Sequence, residues 1–437
     1  MSPPMLELLG VTAIAAPAAA AVLDGALALP ASTNERAVSG VTATGLVASW
    51  LADVALVGAT HFGERPHVAA GPLTLHADPL ALAVAGTGAL VSLVTAQFSS
   101  TYLHRERGYA RFFALVALAA ASFQLLTLSA TLEQLVVGWE LLGVASVLLI
   151  AFFDDRAAPL RGATRAFATY RIGDVGLMVA AITLHHHAGS APLAAVGPVD
   201  GRAGLALGAA LLLAAAAKSA LFPLSGWLPR AMEGPTPSSA LFYGGLSAHA
   251  GVYLLARAFP SISGQPVARG AIMLVGVVTA LVGWSAATTR PDAKGRLAWA
   301  IVLHLGLMTA LVGAGFTGVA TAYLVGHLLL RTMQVLRSPS THHDVRAVRV
   351  ELGVVPSVAR SSAAYRAAFH GLHVEGTLGR AWGVAAAALS WMDALDRRAT
   401  ARLLAERHAE RATGERPADG DPAGERRPSH VTDSVGQ

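Results

Sequence analysis

Two charged side chains lie inside apolar stretches of the chain, where a membrane helix would bury them. Glu140 lies in VVGWELLGVASVLLIAFF and Lys218 lies in LLLAAAAKSALFPLSGWLPR. Ionisable groups at such positions are costly to bury and are usually functional. A nearby carboxylate stabilises the charged form of a buried ammonium. A Glu–Lys pair can therefore exchange a proton when the separation of the two groups changes. Together these residues predict a proton-translocating site.

A structural role is the alternative for both residues. Glu133 and Glu140 are the only charged residues between Arg111 and Asp154. Their seven-residue spacing puts them on one helix face, with Glu140 about 10 Å deeper. A structural Glu140 would need a buried cation on a neighbouring helix, and a snorkelling Lys218 would need a nearby interface. Apolar residues flank Lys218 on both sides, which favours the functional interpretation.

Arg171 and Asp174 form a second charged pair, in FATYRIGDVGLMVA. They are three residues apart and therefore share a helix face. A structural ion pair and a relay role that biases Glu140 are equally consistent with this spacing. Near Lys218, prolines begin at Pro223, and a proline inside a span breaks the helix and frees carbonyl groups. The sequence thus predicts a broken helix near 218–230, with a simple loop as the alternative.

Three histidines, His249, His304 and His327, lie on separate apolar stretches. A neutral imidazole both donates and accepts a hydrogen bond, which suits a proton relay. Each one alone is more often a hydrogen-bonded histidine of a bundle, but together with Arg331 they extend the polar series through the bundle. The group His185–His187 lies at the end of a span; we interpret it as interfacial, with metal binding as the weaker alternative.

Membrane helices must position these residues. Hydrophobic residues make up 54% of the 437-residue chain and charged residues only 14%, against about 25% charged in soluble domains. A soluble enzyme and a nucleic-acid binder are thereby excluded, as is disorder over most of the length. The predicted fold is an all-α polytopic bundle of about eleven spans. The candidate spans are 5–29, 40–60, 78–99, 112–130, 134–153, 168–187, 204–226, 239–259, 270–288, 298–316 and 318–337.

The loops between the spans indicate the orientation of the chain in the membrane, and the last hundred residues indicate two further segments. From the third span onward, one set of alternate loops holds ten basic residues and the other set holds three. The basic set is predicted to be cytoplasmic, together with the C-terminal tail. We expect residues 1–337 to form the transmembrane domain. Residues 338–411 are predicted to be a cytoplasmic amphipathic helical segment, because 362–411 alternate apolar and charged positions at helical spacing. Residues 412–437 are predicted to be a disordered tail.

No cofactor or metal is expected from the motifs. The chain has no cysteine, which excludes disulfides, thiolate metal sites and iron–sulfur clusters. A Gly-rich phosphate loop, a dinucleotide fingerprint and an HExxH helix are also absent from the sequence. The chain alone is therefore not expected to be an enzyme.

Four blocks of sequence resemble the antiporter-like membrane subunits of respiratory complex I. They are HADPLALAVAGTGALVSLVTAQFSSTYLHRERGYARFFAL, VVGWELLGVASVLLIAFF, RAFATYRIGDVGL and AKSALFPLSGWLPRAMEGPTPSSALFYGGLSAHAGVYLLAR. They are most similar to NADH–quinone oxidoreductase subunit L and to the large subunit of multi-subunit cation/proton antiporters. The resemblance runs from about His76 to Arg337.

The resemblance implies roles for single residues. Glu140 matches the glutamate of the family's WE motif, and Lys218 matches the lysine of the broken helix, so these two are expected to be the coupled pair of the proton path. Arg171 and Asp174 match the family's RxGD segment.

Two later blocks extend the resemblance. Lys294 begins DAKGRLAWAIVLHLGLM, in which His304 stands where a polar residue lines the path. In YLVGHLLLR, His327 matches a family histidine, while Arg331 replaces a lysine. An arginine stays protonated, so Arg331 is expected to bias its neighbours rather than carry a proton.

The chain also departs from the family pattern. The family histidine after PTPxSAL is replaced by Phe242–Tyr243, and His249 comes two turns later. After Arg337 the family continues with a second broken helix and further spans, so an incomplete second inverted repeat is expected here.

The leading functional hypothesis is a proton-conducting membrane subunit of a larger complex, in the cell inner membrane. Its partners would be other subunits of a redox complex of the NADH–quinone oxidoreductase type, where it would be a non-redox subunit, or of a cation/proton antiporter that also moves Na⁺. A further alternative is the membrane subunit of a two-component inorganic-carbon accumulation complex, beside a soluble zinc-dependent partner. A non-conducting membrane anchor, with its charges kept as structural ion pairs, is the alternative from a different class.

Overall fold

Long apolar runs bounded by polar loops form helices in this chain. In a bilayer each backbone N–H and C=O group must be satisfied within its own segment, which a helix achieves. The structure is a computed structural model, and it describes residues 3–29, 34–61, 67–70, 73–189, 191–338, 365 and 367–368. The predicted amphipathic segment and tail therefore lie almost entirely outside the described residues.

The described elements follow one another as a series of long helices with one small hairpin. The helices are α1 (Pro3–Leu27), α2 (Glu35–His61), α3 (Pro79–Tyr102), α4 (Tyr109–Leu128), α5 (Leu132–Ile150), α6 (Ala157–Ala188), α7 (Gly201–Lys218), α8 (Trp227–Arg230), α9 (Thr236–Ser239), α10 (Leu246–Arg257), α11 (Phe259–Ile262), α12 (Pro266–Thr289), α13 (Ala293–Ala314) and α14 (Thr317–Leu336). The antiparallel strands β1 (His67–Ala70) and β2 (Leu73–His76) form the hairpin, with His67 opposite His76.

Ten of these helices are long and apolar enough to cross a membrane, namely α1 to α7 and α12 to α14. The remaining predicted span, 239–259, the eighth along the chain, is a composite of α9, a π-helical segment Ala240–Gly245 and α10. Each piece is short, although the three follow one another without a gap. The prediction of an all-α polytopic membrane bundle of about eleven spans is confirmed.

The predicted break near 218–230 is present, because α7 ends at Lys218 and the chain resumes as a helix only at Trp227. Side chains satisfy the backbone groups that the break frees. The Trp227 indole Nε1 donates to the carbonyl of Ala217 at 2.9 Å. Thr279 Oγ1 accepts from the backbone N–H of Phe222 at 2.9 Å. These bonds let an irregular segment exist inside the bundle, where water is not available to replace them.

Helices α12 and α13 approach each other closely along their length through glycines. Gly276 and Gly283 of α12 are seven residues apart, as are Gly306 and Gly313 of α13. A Cβ at Gly283 would lie 2.4 Å from the backbone nitrogen of Leu303, and one at Gly306 would lie 2.5 Å from that of Ala280. Small residues at such spacing allow backbones to contact in membrane bundles. The pair therefore packs along a seam with no room for side chains.

One end of the bundle is tied together by a buried ion pair. Asp78 caps α3, where its Oδ1 accepts from the Ala81 N–H at 2.8 Å. Its Oδ2 pairs with Arg257, the last residue of α10, whose side chain is 2% exposed. His76 Nε2 of β2 lies 3.5 Å from the same oxygen. This contact joins α3, α10 and the hairpin.

Candidate functional site

Helices α5 and α6 bring three charged residues together. Arg171 Nη2 lies 2.5 Å from Glu140 Oε2 and 2.8 Å from Asp174 Oδ2. Trp139, next to Glu140 in the chain, donates its indole N–H to Asp174 Oδ1 at 3.2 Å. The arginine thus lies between two carboxylates, one on its own helix and one on the neighbouring helix. The predicted pair Arg171–Asp174 forms, and it also includes Glu140.

This charged group lies at the surface of the described chain rather than in its centre. The Glu140 side chain is 32% exposed and that of Arg171 is 43% exposed. The same side of α5 presents the apolar residues Val137, Leu141 and Val144, all of them exposed. An ion pair framed by apolar side chains halfway along a membrane helix is costly to leave against lipid tails.

Lys218, in contrast, is enclosed. The residue is 1% exposed, and its Nζ donates to the backbone carbonyl of Trp139 at 2.9 Å. The ammonium lies 4.8 Å from the Trp139 ring centroid and 4.4 Å from that of Tyr170. A Cβ at Gly143 would come within 2.9 Å of Nζ, so the glycine of α5 leaves the space that the lysine head occupies. Cation–π contacts and one carbonyl thereby replace its hydration.

The structure does not bring Glu140 and Lys218 into direct contact. Glu140 is bound by Arg171, and no ion pair recorded among the described residues includes Lys218. The two residues are instead connected through Trp139, which precedes Glu140 in the chain and accepts from Lys218. The sequence could not specify this arrangement, because the spacing of Glu140 and Lys218 does not define which side chain lies between them.

The three predicted histidines converge although they come from three helices. His249 Nε2 of α10 lies 2.7 Å from His327 Nδ1 of α14. The ring of His304, on α13, has its centroid 5.0 Å from that of His327, and its Nδ1 hydrogen-bonds the Tyr323 hydroxyl. His249 is fully buried and His327 is 5% exposed. The polar series predicted from separate stretches is therefore one cluster.

Its hydrogen bonds define the tautomers of two rings. Gly245 O can only accept, so His249 Nδ1 donates to it and its Nε2 carries the lone pair. His327 Nδ1 must then donate to that lone pair, which leaves His327 Nε2 to accept from Arg331 Nε at 3.2 Å. Both imidazoles are neutral in this arrangement. The chain of bonds runs from an arginine that only donates to a carbonyl that only accepts.

A tyrosine contacts both the Lys218 ammonium and α10, the helix that carries His249. Tyr170 is buried, its ring faces the lysine ammonium, and its hydroxyl lies 3.4 Å from Ser247 Oγ. Ser247 is two residues before His249 on α10. The contact is long for a hydrogen bond between hydroxyls, and because residues two apart on a helix do not share a face, it reaches α10 on another face than that of His249.

Other predicted residues lie apart from this cluster. Lys294, at the start of α13, donates to Thr236 Oγ1 at 2.9 Å. His185 Nδ1 lies 3.2 Å from Glu133 Oε1, and both side chains are about half exposed. Glu133 and Glu140 thus both face α6, as their spacing predicts. Within the described part of the chain, no group of three or more His, Asp or Glu residues could hold a metal ion.

Two fully buried carboxyls, Asp24 of α1 and Asp53 of α2, were not among the predicted site residues. The signal was available in the sequence, since each is an isolated acidic residue in an apolar stretch, as Glu140 is. Both lie before the region of family resemblance, so no motif drew attention to them.

Comparisons with known proteins agree with this architecture. The family model for the membrane part of the NADH:quinone oxidoreductase and Mrp antiporter subunits matches residues 129–351. NAD(P)H-quinone oxidoreductase chain 5 of Synechocystis sp. is 34% identical over 292 residues, covering 64% of this chain and 42% of that protein. The chloroplast subunit 5 of Gossypium barbadense is 36% identical over 261 residues, covering 57% and 35%. The chain thus spans less than half the length of these relatives.

Two solved complexes contain chains of similar fold. A chain of the Mrp complex from Dietzia sp. DQ12-45-1b superposes with a TM-score of 0.66 at 26% identity, covering 76% of this chain and 37% of that chain. A chain of an archaeal membrane-bound sulfane sulfur reductase superposes with a TM-score of 0.64 at 15% identity, covering 76% and 70%. The latter is a likeness of fold alone. The resemblance predicted from the sequence motifs is confirmed, and because the family match covers just over half of the chain, the protein belongs to the NADH:quinone oxidoreductase/Mrp antiporter membrane-subunit family.

Proposed function

We propose that this chain is a proton-conducting membrane subunit of a larger complex, with Glu140, Lys218, His249, His304 and His327 in its proton path. The observation that carries the proposal is the enclosure of Lys218. An ammonium that is 1% exposed, with one carbonyl and two rings as its recorded direct contacts and the carboxylates of Asp174 and Glu140 acting on it without contact, is costly to keep inside a membrane bundle. A purely structural position would be filled more cheaply by an apolar side chain.

The path would run from Lys218 past Tyr170 to the histidine cluster. A small movement that shortens the Tyr170–Ser247 contact of 3.4 Å would form a hydrogen bond of ordinary length and carry the path to α10. The neutral tautomers of His249 and His327 leave each ring one lone pair, which Arg331 and the neighbouring imidazole occupy. A proton therefore enters the cluster only when one of these bonds opens, so Arg331 acts as a positioning residue.

Coupling would act through Arg171. This guanidinium binds Glu140 and Asp174 together, and Trp139 connects the same group to Lys218. Displacement of Arg171 leaves Glu140 without its counter-charge and free to accept a proton. The charge near Lys218 then changes, and the lysine responds by giving up or taking up its own proton. A partner's chemistry or an ion gradient would drive this displacement.

The exposed Glu140–Arg171 pair supports an assembly with other membrane subunits. At 32% and 43% exposure these charges would face lipid tails in an isolated chain, so we propose that a neighbouring subunit covers this side of α5 and α6. The names of the relatives, an NAD(P)H-quinone oxidoreductase chain and an Mrp complex, indicate the kind of complex. The ten basic residues in one set of loops support a cell inner membrane location with the C-terminal tail in the cytoplasm.

The test is proton flux into vesicles that contain the intact complex. Lys218→Met keeps the length and apolar stem of the side chain but cannot hold a proton, and we expect flux to fall by at least about 100-fold. Arg202→Gln is the matched control, since Arg202 is an exposed cation at the other end of α7, and its flux should stay unchanged. If Lys218→Met assembles and conducts as the unaltered complex does, the chain is a non-conducting anchor and the proposal fails.

A further inference from the structure

A second buried acidic site lies between α2 and α4, outside the residues matched by the family model. Asp53 is 0% exposed and Gln124 is 1% exposed. Gln124 Nε2 donates to Asp53 Oδ2 at 2.6 Å, and the same nitrogen lies 3.3 Å from the backbone carbonyl of Ala85 on α3. The amide nitrogen is thus satisfied by two acceptors.

The other two oxygens of this pair have no partner. Asp53 Oδ1 and Gln124 Oε1 are both buried and both lack a hydrogen bond. The amide oxygen can only accept a hydrogen bond, and so can the carboxyl oxygen when Asp53 is ionised. An unsatisfied buried acceptor costs about 1–3 kcal/mol. A single proton on Oδ1 would turn it into a donor for Gln124 Oε1. The acid and the amide would then form two antiparallel hydrogen bonds, with every polar atom of the pair satisfied.

Within the described part of the chain, no positive charge is recorded against Asp53. None of the ion pairs recorded for the described residues includes it, and its only side-chain partner is the amide of Gln124. On α3 it lies against Gly86, where an added Cβ would be 3.6 Å from the Asp53 Cβ, while the carbonyl of Ala85 accepts from the Gln124 amide. Among the described residues, the recorded hydrogen bonds and ion pairs of Asp53 include no titratable group of α1, α3 or α4. A bare carboxylate in such surroundings is strongly disfavoured.

We propose that Asp53 and Gln124 form a proton-binding site that is separate from the Lys218 path. The carboxyl holds an exchangeable proton, shared with the Gln124 carbonyl oxygen. The site does not depend on the proposed role of Lys218, because it is built from α2, α3 and α4 and shares no residue with the charged group of α5 and α6.

A row of polar groups on α2 supports exchange of this proton. Thr42, Ser49 and Asp53 lie seven and four residues apart and share one face of α2. At the far end of the row, Thr42 Oγ1 donates to Asp24 Oδ2 of α1 at 2.5 Å, and in the middle Ser49 Oγ donates to the carbonyl of Ala13 at 2.6 Å. The row spans about 16 Å along the helix. Asp24 is a second buried carboxyl, and its Oδ1 also has no partner.

Infrared spectroscopy of the purified full chain in lipid tests the site. A protonated carboxyl gives a C=O band distinct from that of a carboxylate, and the band shifts when the proton exchanges for deuterium. We expect Asp53→Asn to remove one such band, since Asn keeps the shape and can donate to Gln124 Oε1. Asp24→Asn should leave the Asp53 band in place and serves as the matched control.

A second variant examines the pairing itself. Gln124→Leu removes the donor to Asp53 Oδ2, so the remaining C=O band should move to higher frequency while the chain stays folded. It also provides a folded variant if Asp53→Asn does not accumulate. Identical carboxyl bands in the unaltered chain and in Asp53→Asn would overturn the proposal. A band that appears only after Na⁺ is removed would overturn it as well, because the carboxylate would then be holding the cation instead of a proton.

Discussion

Asp78 shows how one residue at a membrane boundary combines two structural tasks. Its Oδ1 caps α3, and its Oδ2 pairs with Arg257. Burial alone would raise its pKa, but the hydrogen bond with His76, the charge of Arg257 and the Ala81 N–H lower the pKa from the ordinary value of 3.8 to about 2. The ionised form is thus favoured in the folded chain. The resulting stabilisation is fully present above about pH 4 and is lost as the pH falls through about 2.

We expect Asp78→Asn to destabilise the folded chain by about 2–4 kcal/mol at neutral pH, because the variant loses that stabilisation and leaves Arg257 buried without its counter-charge. The measurement is thermal unfolding in mild detergent between pH 2 and pH 7. The dependence on acid pH should flatten in the variant. Asp154→Asn is the control, since the Asp154–Arg111 pair is exposed. Equal losses from the two substitutions would contradict the interpretation.

The sequence indicated which residues form the site, but it did not indicate which of them contact one another. Glu140, Lys218 and the histidines stand out as polar groups in apolar runs, because a bilayer excludes unpaired charge. Contacts such as His249 with His327 join positions 78 residues apart, and no local pattern encodes them. The roles of these residues stay predictions until flux is measured.

At the scale of single elements, α5 has two glycines that leave space for different neighbours, one for the backbone of α4 and one for the Lys218 side chain. A Cβ at Gly138 would lie 2.5 Å from the backbone nitrogen of Leu126 on α4 and 2.8 Å from the Ser122 carbonyl. A Cβ at Gly143 would meet the end of the Lys218 side chain at 2.9 Å. The backbone of α4 cannot move away from a Cβ at position 138 unless the two helices separate. The Lys218 ammonium can move away from a Cβ at position 143, because its side chain is flexible.

The two alanine variants should therefore separate stability from transport. Gly138→Ala is expected to cost about 1–3 kcal/mol of stability by forcing α4 and α5 apart. Gly143→Ala should keep stability within about 0.5 kcal/mol but reduce proton flux by about 10- to 100-fold, since the ammonium moves from its position. Unfolding in detergent and flux in vesicles measure the two effects. A Gly143→Ala chain with full flux would show that the position of the Lys218 head is unimportant.

Long helices were predictable because about 20 apolar residues are needed to cross a bilayer and few other structures satisfy such a run. The segment between Lys218 and Trp227 was predictable only as a break. Its conformation depends on tertiary bonds, such as that from the Trp227 indole to Ala217. The π-helical turn Ala240–Gly245 likewise has no signature in hydropathy.

For the molecule as a whole, the proposed orientation has a direct test, because the chain contains no cysteine. Single cysteines at Asp155, between α5 and α6, and at Gly197, between α6 and α7, lie at exposed loop positions. In intact cells a membrane-impermeant thiol reagent should label Gly197→Cys and not Asp155→Cys. After permeabilisation both should react. The opposite pattern would invert the topology and place the C-terminal tail outside.

The close seam between α12 and α13 also limits which parts can move independently. Their backbones contact at Gly276, Gly283, Gly306 and Gly313, so sliding one helix along the other would drive side chains into backbone. The two helices are therefore expected to move together as one rigid unit, and His304, on α13, moves with them. A spectroscopic label at the exposed Leu281 of α12 would then report the motion of His304 without touching the histidine cluster.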